Sequence, residues 1–446
     1  MVPVTSHEKS MPNDLYIDHV RTRREAAERV LAATGFEALV VDSGRPFRYY
    51  ADDMDAPHHE GPHFVHWVPL QGPHHLLLVR PDERPLVVRV APEDYWYEQA
   101  PLGSPFWAEE LDVREVGTRE QAWELVRSAL EGAAYVGDAP DEARAHGVAP
   151  SGLNPAAMVA RLDWDRSFKT PYEVACIEEA QVMAARGHVA AKASFEAGAS
   201  ELEIHQAYVA AVGCVDKELP YESIVALDEK GAILHYTGKR ATRGGKVLLI
   251  DSGARHLGYC SDITRTWTLP GVDPVFARLV EGMDELQQGL CEAVRPGLGY
   301  VELHHKAHLW IGDLLHEVGI LGVGGEEAFS KDLTRPFFPH GLGHFLGIQV
   351  HDVAGHQSDR SGGVVKAPAE HPFLRTTRTI ETDQVFTVEP GIYFIEMLLR
   401  EHRDGPHAGL LDWALVERMK GCGGVRIEDN LLVTRDGHRN LTRPHV

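Results

Sequence analysis

Cysteine is scarce in this sequence. The five residues Cys176, Cys214, Cys260, Cys291 and Cys422 are odd in number, widely spaced and without a CxxC pair. Neither a disulfide framework nor a thiolate zinc site is indicated. Cations are also in short supply, with 44 Lys plus Arg against 66 Asp plus Glu and a formal charge of −22. Such a surface repels phosphate backbones, so nucleic acid is not the expected partner. No apolar run approaches the ~20 residues of a membrane span, and the polar stretch Met1–Ser10 lacks the apolar core of a secretory signal. Short-period repeats and low-complexity tracts are missing too. With 43% apolar and 25% charged residues, the composition is that of a globular chain rather than a disordered one. A reducing, cytoplasmic setting is the expectation. Histidine is what the chain has in plenty, 26 in all, which invites a metal site although most must be ordinary surface residues.

At 446 residues the chain is about three times a typical domain of ~150. From Leu15 to Arg161, helical patterns at Arg23–Ala33 and Glu120–Leu130 alternate with short apolar runs. Those runs, Ala38–Val41, Leu76–Val79, Leu86–Val90 and Tyr135–Val136, read as strands of an α/β domain. The stretch from Ala51 to His75 carries His58, His59, His63, His66, His74 and His75 at no convincing ligand spacing. It reads as a surface or interface loop. Near Asp163–Lys169 the pattern changes. Thr170-Pro-Tyr-Glu173 is a capping box with proline at the first helical position, opening a helix to about Ala197, and a second helix spans Glu201–Val212. Strand patterns follow at Ile224–Ala226, Lys246–Asp251 and Tyr259–Leu269, helices at Pro274–Val294 and Tyr300–Val318, then strands at Val385–Phe394 and Gly424–Thr434. The expected domains are 11–165, α/β, and 166–446, α+β. Leu321–Gly325 is glycine-rich, but no GK[ST] follows, so it reads as a helix-terminating loop.

Carboxylates recur where burial should exclude them. Lys246–Asp251 is an apolar strand ending on a charge, and Asp262 stands eleven residues further on in an alternating pattern. A hairpin through Gly253–Gly258 would set the two side by side, each opposing the other's ionisation. Taken alone, the pair could equally be solvated strand ends. His340-Gly-Leu-Gly-His344 and His351 add imidazoles among glycines, which let backbone approach closely. Glu389 closes the apolar run from Val385, and Arg426, Glu428 and Asn430 share one face of a period-two segment. Buried charges of this kind are costly unless paired or bound to metal. Four carboxylates and one imidazole balance two divalent cations, with Mn²⁺ or Co²⁺ favoured and Fe²⁺ or Zn²⁺ acceptable for such hard ligands. Two such ions can bridge and activate a water and polarise a carbonyl, the apparatus of amide hydrolysis.

The order Asp251, Asp262, His344, Glu389, Glu428 resembles the five-ligand set of the pita-bread metallopeptidases (family M24), which include methionine aminopeptidase, aminopeptidase P and prolidase. The similarity extends over nearly the whole chain. It leans to the bacterial Xaa-Pro dipeptidase branch through Lys169–Ile177, Ile233-Leu-His235-Tyr, His340–His344, His371-Pro-Phe-Leu-Arg375 and Thr387–Phe394. The resemblance implies a pita-bread (creatinase/aminopeptidase-like) catalytic domain behind a smaller α/β domain that helps close the site in a homodimer. It implies that Asp251 chelates one metal, Asp262 and Glu428 bridge, and His344 and Glu389 complete the other. It further implies that Glu389 accepts the proton of the attacking water and returns it to the leaving proline nitrogen. His235 and His351 would contact substrate and stabilise the tetrahedral intermediate, and Arg375 would hold the dipeptide's carboxylate. Arg426 would position a ligand or the substrate, although both arginines could instead be structural ion-pair partners. His340 is either near the substrate or a packed loop histidine, and Tyr221 and Tyr300 are further candidates for lining the pocket.

The implied reaction is hydrolysis of Xaa-Pro dipeptides. Alternatives are aminopeptidase P-type cleavage of longer Xaa-Pro peptides, with organophosphate triester hydrolysis as a side activity, and a non-enzymatic partner-binding role. The complete ligand set argues against that last role and against a metal-free creatinase-like amidinohydrolase.

Overall fold

The computed structural model describes residues 13–446. The polar extension ahead of Leu15 thus lies, up to residue 12, outside the described residues. Two compact units are present. One runs up to Arg166 and takes in Thr170–Ala175 and Asp359–Gly363, while the other holds Ser167–Lys169, Cys176–Ser358 and Val364–Val446.

The first unit combines helices, among them Asn13–Thr34, Arg119–Val126 and Ala156–Arg166, with a five-stranded sheet of β1 (Ala38–Asp42), β2 (Leu76–Val79), β3 (Leu86–Val90), β4 (Asp112–Val116) and β5 (Ala133–Val136). Strand order is β4-β3-β2-β1-β5, parallel at β3/β4 and β1/β5 and antiparallel elsewhere. The Asn13–Thr34 helix opens ten residues before the apolar pattern does, because its early turns bury only Tyr16, His19 and Val20. The 51–75 stretch, expected as a surface or interface loop, is partly helical and partly buried. Pro62–Val65 forms one helical turn, and Phe64, Val65, Trp67 and Val68 are buried. These apolar neighbours draw His66 inside, where its Nε2 lies 3.3 Å from Glu173. His75 is buried as well and accepts a hydrogen bond from the Val90 N–H at 3.1 Å.

Asp42, at the buried end of β1, accepts hydrogen bonds from Arg119 (2.6 and 3.1 Å), the Tyr135 hydroxyl (2.7 Å) and the Gly44 N–H (2.9 Å). Burial alone would raise its pKa, but the bonds and charge of Arg119, with help from Tyr135 and Gly44, bring it below the ordinary value. A depressed folded-state pKa gives stability that is complete above the unfolded carboxylate pKa and lost as pH falls through the folded value. We expect Asp42→Asn to cost about 3 kcal/mol in urea denaturation at neutral pH. The variant should also show a flatter loss of stability on acidification than wild type.

The long helix Pro171–Glu196 opens on the Thr170/Glu173 capping box, with the Thr170 N–H 2.9 Å from Glu173 Oε2, and from Cys176 onward it belongs to the second unit. It ends before Gly198, whose φ of 76° suits a helix terminus. Three small antiparallel sheets follow. The first has the order β10-β7-β6, from β6 (Ile224–Leu227), β7 (Val247–Asp251) and β10 (Thr264–Thr268). The second is β11-β14-β15, from β11 (Val385–Val388), β14 (Asp429–Thr434) and β15 (Gly437–Asn440). The third pairs β12 (Gly391–Tyr393) with β13 (Gly424–Arg426). A hairpin of β8 (Arg255–His256) and β9 (Tyr259–Cys260) turns at Leu257–Gly258, both at positive φ (48° and 89°).

The continuous apolar run of β7 reflects burial on both faces. Leu248 and Ile250 pack with Phe195, Ile204 and Tyr208, while Leu249 packs with Ala226, Tyr236 and Tyr393. The helices Pro274–Ala293 and Tyr300–Glu317 supply the larger core, which meets Phe386, Val388, Ile392, Val425 and Leu431 from the strands that flank Glu389 and Glu428.

Candidate metal centre

Each of the four carboxylates stands where a strand stops or breaks. Asp251 is the last residue of β7, Asp262 falls between β9 and β10, Glu389 between β11 and β12, and Glu428 between β13 and β14. The patterns Tyr259–Leu269, Val385–Phe394 and Gly424–Thr434 read as unbroken strands in sequence, but the structure interrupts all three. At the breaks the backbone bonds to other segments instead of a ladder. Asp262 N–H donates to Asn430 Oδ1 (3.0 Å), Asn430 Nδ2 donates to the Asp262 carbonyl (2.6 Å), and Glu428 N–H donates to the Thr264 carbonyl (3.0 Å). Glu389 N–H donates to the Leu342 carbonyl (2.8 Å), and the next residue, Pro390, has no N–H to offer a partner. In register Asp251 therefore faces Thr264 rather than Asp262.

The side chains nevertheless converge. The Tyr221 hydroxyl lies 2.7 Å from Asp251 Oδ1 and 2.5 Å from Asp262 Oδ1. Arg426 is buried and donates to Asp251 Oδ2 (2.6 Å), Thr264 Oγ1 (3.2 Å) and the Tyr393 hydroxyl (2.8 Å). Thr264 Oγ1 in turn donates to Glu428 Oε2 at 2.7 Å, while Glu428 Oε1 is buried with no hydrogen-bond partner. His344 Nδ1 sits 3.0 Å from the Phe345 carbonyl, which fixes the proton there. Its Nε2 lone pair then faces Asp262 Oδ2 at 3.4 Å and Glu389 Oε1 at 3.6 Å. Lone pair against carboxylate is repulsive unless a cation stands between them.

Charge makes the same point. Burial, and then the neighbouring carboxylates, push Asp262, Glu389 and Glu428 well above the usual carboxylate range. Four carboxylates face one buried guanidinium, so the cluster is short of positive charge. Burial holds His344 down to about 4, which keeps its ring neutral and its lone pair available. Ligand atoms of Asp262, His344 and Glu428 all lie within 4.8 Å of one another. An orphaned carboxylate oxygen, a neutral imidazole facing two of the other carboxylates and a deficit of positive charge fit divalent metal ions on mostly hard oxygen ligands.

The glycines of His340–His344 have a steric reason. A Cβ on Gly343 would collide with the Thr387 carbonyl and the Tyr300 hydroxyl, so the segment can lie on β11 only without one. Thr387 Oγ1 accepts the His344 N–H at 3.2 Å, and the Thr387 N–H donates to the His344 carbonyl at 2.9 Å. His340 bonds the Tyr393 hydroxyl through Nε2 (2.8 Å) and lies 4.0 Å from Glu389 Oε2 through Nδ1. The His351 ring packs edge-on against His344 at 4.4 Å, and burial, with His344 and Arg375, holds it down to about 3. His235 and Arg375 are exposed, and both act electrostatically on His351.

Tyr221 bridges two of the carboxylates, while Tyr300 bonds the Thr387 carbonyl at 2.8 Å and is packing against β11. Sequence reasoning passed over Thr264, Thr387 and Tyr393. Thr264 stands two residues beyond Asp262, and Thr387 and Tyr393 lie within the Thr387–Phe394 motif, so each had a signal beside it.

The metallopeptidase family M24 pattern matches residues 175–435, and that of the Xaa-Pro dipeptidase N-terminal domain matches residues 14–164. The chain belongs to metallopeptidase family M24. Among curated relatives it is 43% identical to the Xaa-Pro dipeptidase of Stenotrophomonas maltophilia (strain K279a), over 97% of each chain. It is 44% identical to that of Xanthomonas campestris pv. campestris (strain 8004), over 96% of this chain and 97% of the other. Zinc-substituted E. coli aminopeptidase P superposes with a TM-score of 0.71 at 24% identity, covering 95% and 96% of the two chains. Proline aminopeptidase P II from Yersinia pestis gives 0.73 at 24% identity, covering 98% and 97%. The fold is thus the pita-bread fold expected from the sequence. Family membership carries divalent metal ions with it, and no helix among the described residues is long and apolar enough to cross a membrane.

Proposed function

We propose that this protein is an Xaa-Pro dipeptidase, hydrolysing the peptide bond before proline in dipeptides. The observation that carries the reading is the buried cluster of Asp251, Asp262, His344, Glu389 and Glu428, with the unpartnered Glu428 Oε1, in a chain alike over its whole length to proteins of that name. Two divalent ions held by these five residues, Mn²⁺ first among them, would lower the pKa of a water and polarise the scissile carbonyl. Glu389 takes the proton of the attacking water and passes it to the proline nitrogen. His351 and His235 donate hydrogen bonds to the oxygen on which charge develops. The exposed Arg375 grips the substrate's terminal carboxylate with its guanidinium fork. Arg426 holds Asp251 in place, and His340 steadies the Tyr393 hydroxyl beside it. A homodimer in the cytoplasm, with residues 11–165 serving closure and 166–446 catalysis, belongs to the same reading.

The test uses chelated protein and measures hydrolysis of an Xaa-Pro dipeptide before and after Mn²⁺ is added. Activity should return with the metal and exceed that on a matched Xaa-Pro-Xaa tripeptide. Faster cleavage of the tripeptide would reassign the protein to the aminopeptidase P type. Silence with every divalent ion, from a folded chain, would leave a binding role.

A further inference from the structure

A second cluster of ligand-type side chains lies apart from the carboxylate centre. His304 and His308 stand four residues apart on one face of the helix Tyr300–Glu317, and His371 comes from the loop that continues to Arg375. The ring centroids are 4.7 Å apart for His304–His308, 4.4 Å for His304–His371 and 4.7 Å for His308–His371. One nitrogen from each ring falls within 4.8 Å of the other two.

Three aromatic rings could share a core simply by packing, and Phe338 and Phe329 do pack around these. Their nitrogens speak for more. His304 is 1% exposed, yet neither of its ring nitrogens has a hydrogen-bond partner. Nε2 of His308 and Nε2 of His371 are buried and unpartnered as well. Leaving so many polar atoms dry and unsatisfied in one place is costly, and phenylalanine at these positions would avoid the cost. His308 Nδ1 lies 2.9 Å from Thr334 Oγ1. A proton placed there leaves the Nε2 lone pair directed into the cluster, the arrangement in which metal-binding imidazoles are usually held. Burial, and then the neighbouring imidazoles, hold His304 and His308 in the neutral form that can donate a lone pair. Beside His371 opens a cavity of about 160 Å³, lined also by Glu370, Arg335, Phe338 and His340, large enough to admit water to that side of the cluster.

We propose that His304, His308 and His371 form a separate mononuclear site for a borderline-soft divalent cation, Zn²⁺ above all, bound through three imidazole nitrogens. Nitrogen ligands distinguish it from the oxygen-rich centre and select a different ion. A cation there fastens the 371–375 loop, and with it Arg375, to the helix Tyr300–Glu317. The proposal does not depend on the peptidase reading.

The experiment uses the full-length chain carrying Asp262→Asn and Glu428→Gln, which silences the carboxylate centre. The protein is stripped with chelator, given excess ZnCl₂, gel-filtered and assayed for zinc by mass spectrometry. One zinc per chain should be retained, and adding His371→Phe should abolish it with the circular dichroism spectrum unchanged. Zinc K-edge absorption on the retained ion should show three imidazole nitrogens at about 2.0–2.1 Å. A folded chain that keeps no zinc, zinc that survives His371→Phe, or an oxygen-dominated shell would each overturn the proposal. If His371→Phe unfolds the chain, the K-edge spectrum decides alone. If the carboxylate variant does not fold, the loss of one zinc per chain is sought in His371→Phe of the otherwise wild-type protein.

Discussion

A Glu428→Gln chain should lose bound metal and peptidase activity together, with kcat/KM falling on the order of 10³-fold or more while the protein stays folded. The carboxylate supplies one oxygen to Thr264 and leaves the other buried and unpartnered. An amide keeps the first contact but carries no charge for a cation. The same substitution should stabilise the metal-free protein. Asp262, Glu389 and Glu428 have pKa values raised well above ordinary in the folded chain, so above pH ~4 the folded state binds more protons than the unfolded one. Metal-free stability therefore falls as pH rises through the range between the unfolded and folded values, and metal binding cancels that slope. Removing the Glu428 charge should raise metal-free stability at neutral pH by about 1–3 kcal/mol, the cost of an unsatisfied buried group. Metal content, turnover and urea denaturation on one preparation check all three. Full activity from the Gln variant would end the two-metal reading.

Arg426→Met should act in the opposite direction on stability. The guanidinium is buried and contacts Asp251, Thr264 and Tyr393, which sets its charge beside the carboxylate cluster. Breaking such a pair by removing one partner leaves an uncompensated buried charge, worth about 3–5 kcal/mol. The loss should be largest in chelated protein and shrink when Mn²⁺ is added, since the metal then supplies the missing positive charge. Thermal unfolding of variant and wild type with and without the ion measures this directly. An equal loss in both states would show that Arg426 serves packing alone.

Much of this was legible in the chain because apolar periodicity is a local signal. Leu76–Val79, Leu86–Val90 and Glu201–Val212 end where the pattern ends, and the Thr170/Glu173 capping box announces its helix. The carboxylates of the candidate centre stood out as charges in strand patterns, while His344 was singled out from its neighbouring histidines through the resemblance to the pita-bread metallopeptidases. What stayed hidden was non-local. No period reveals that Asp262, Glu389 and Glu428 sit in breaks, because the breaks are stabilised by Asn430, Leu342 and Thr264 from distant segments. His66 looked like a loop residue until Phe64 and Trp67 carried it inside. The His304, His308 and His371 cluster had half its signal on one helix face and the other half sixty-odd residues away.

The splicing of broken strands also sets a schedule. A ribosome adding roughly 5–20 residues per second needs on the order of ten to thirty-five seconds to travel from Asp251 to Glu428. The two aspartates are made first, Glu389 later and Glu428 last, and the break at Asp262 waits for Asn430 to close it. The five side chains can come together only once the final strands have been made, so completion of the centre falls to the last residues of the chain to be synthesised.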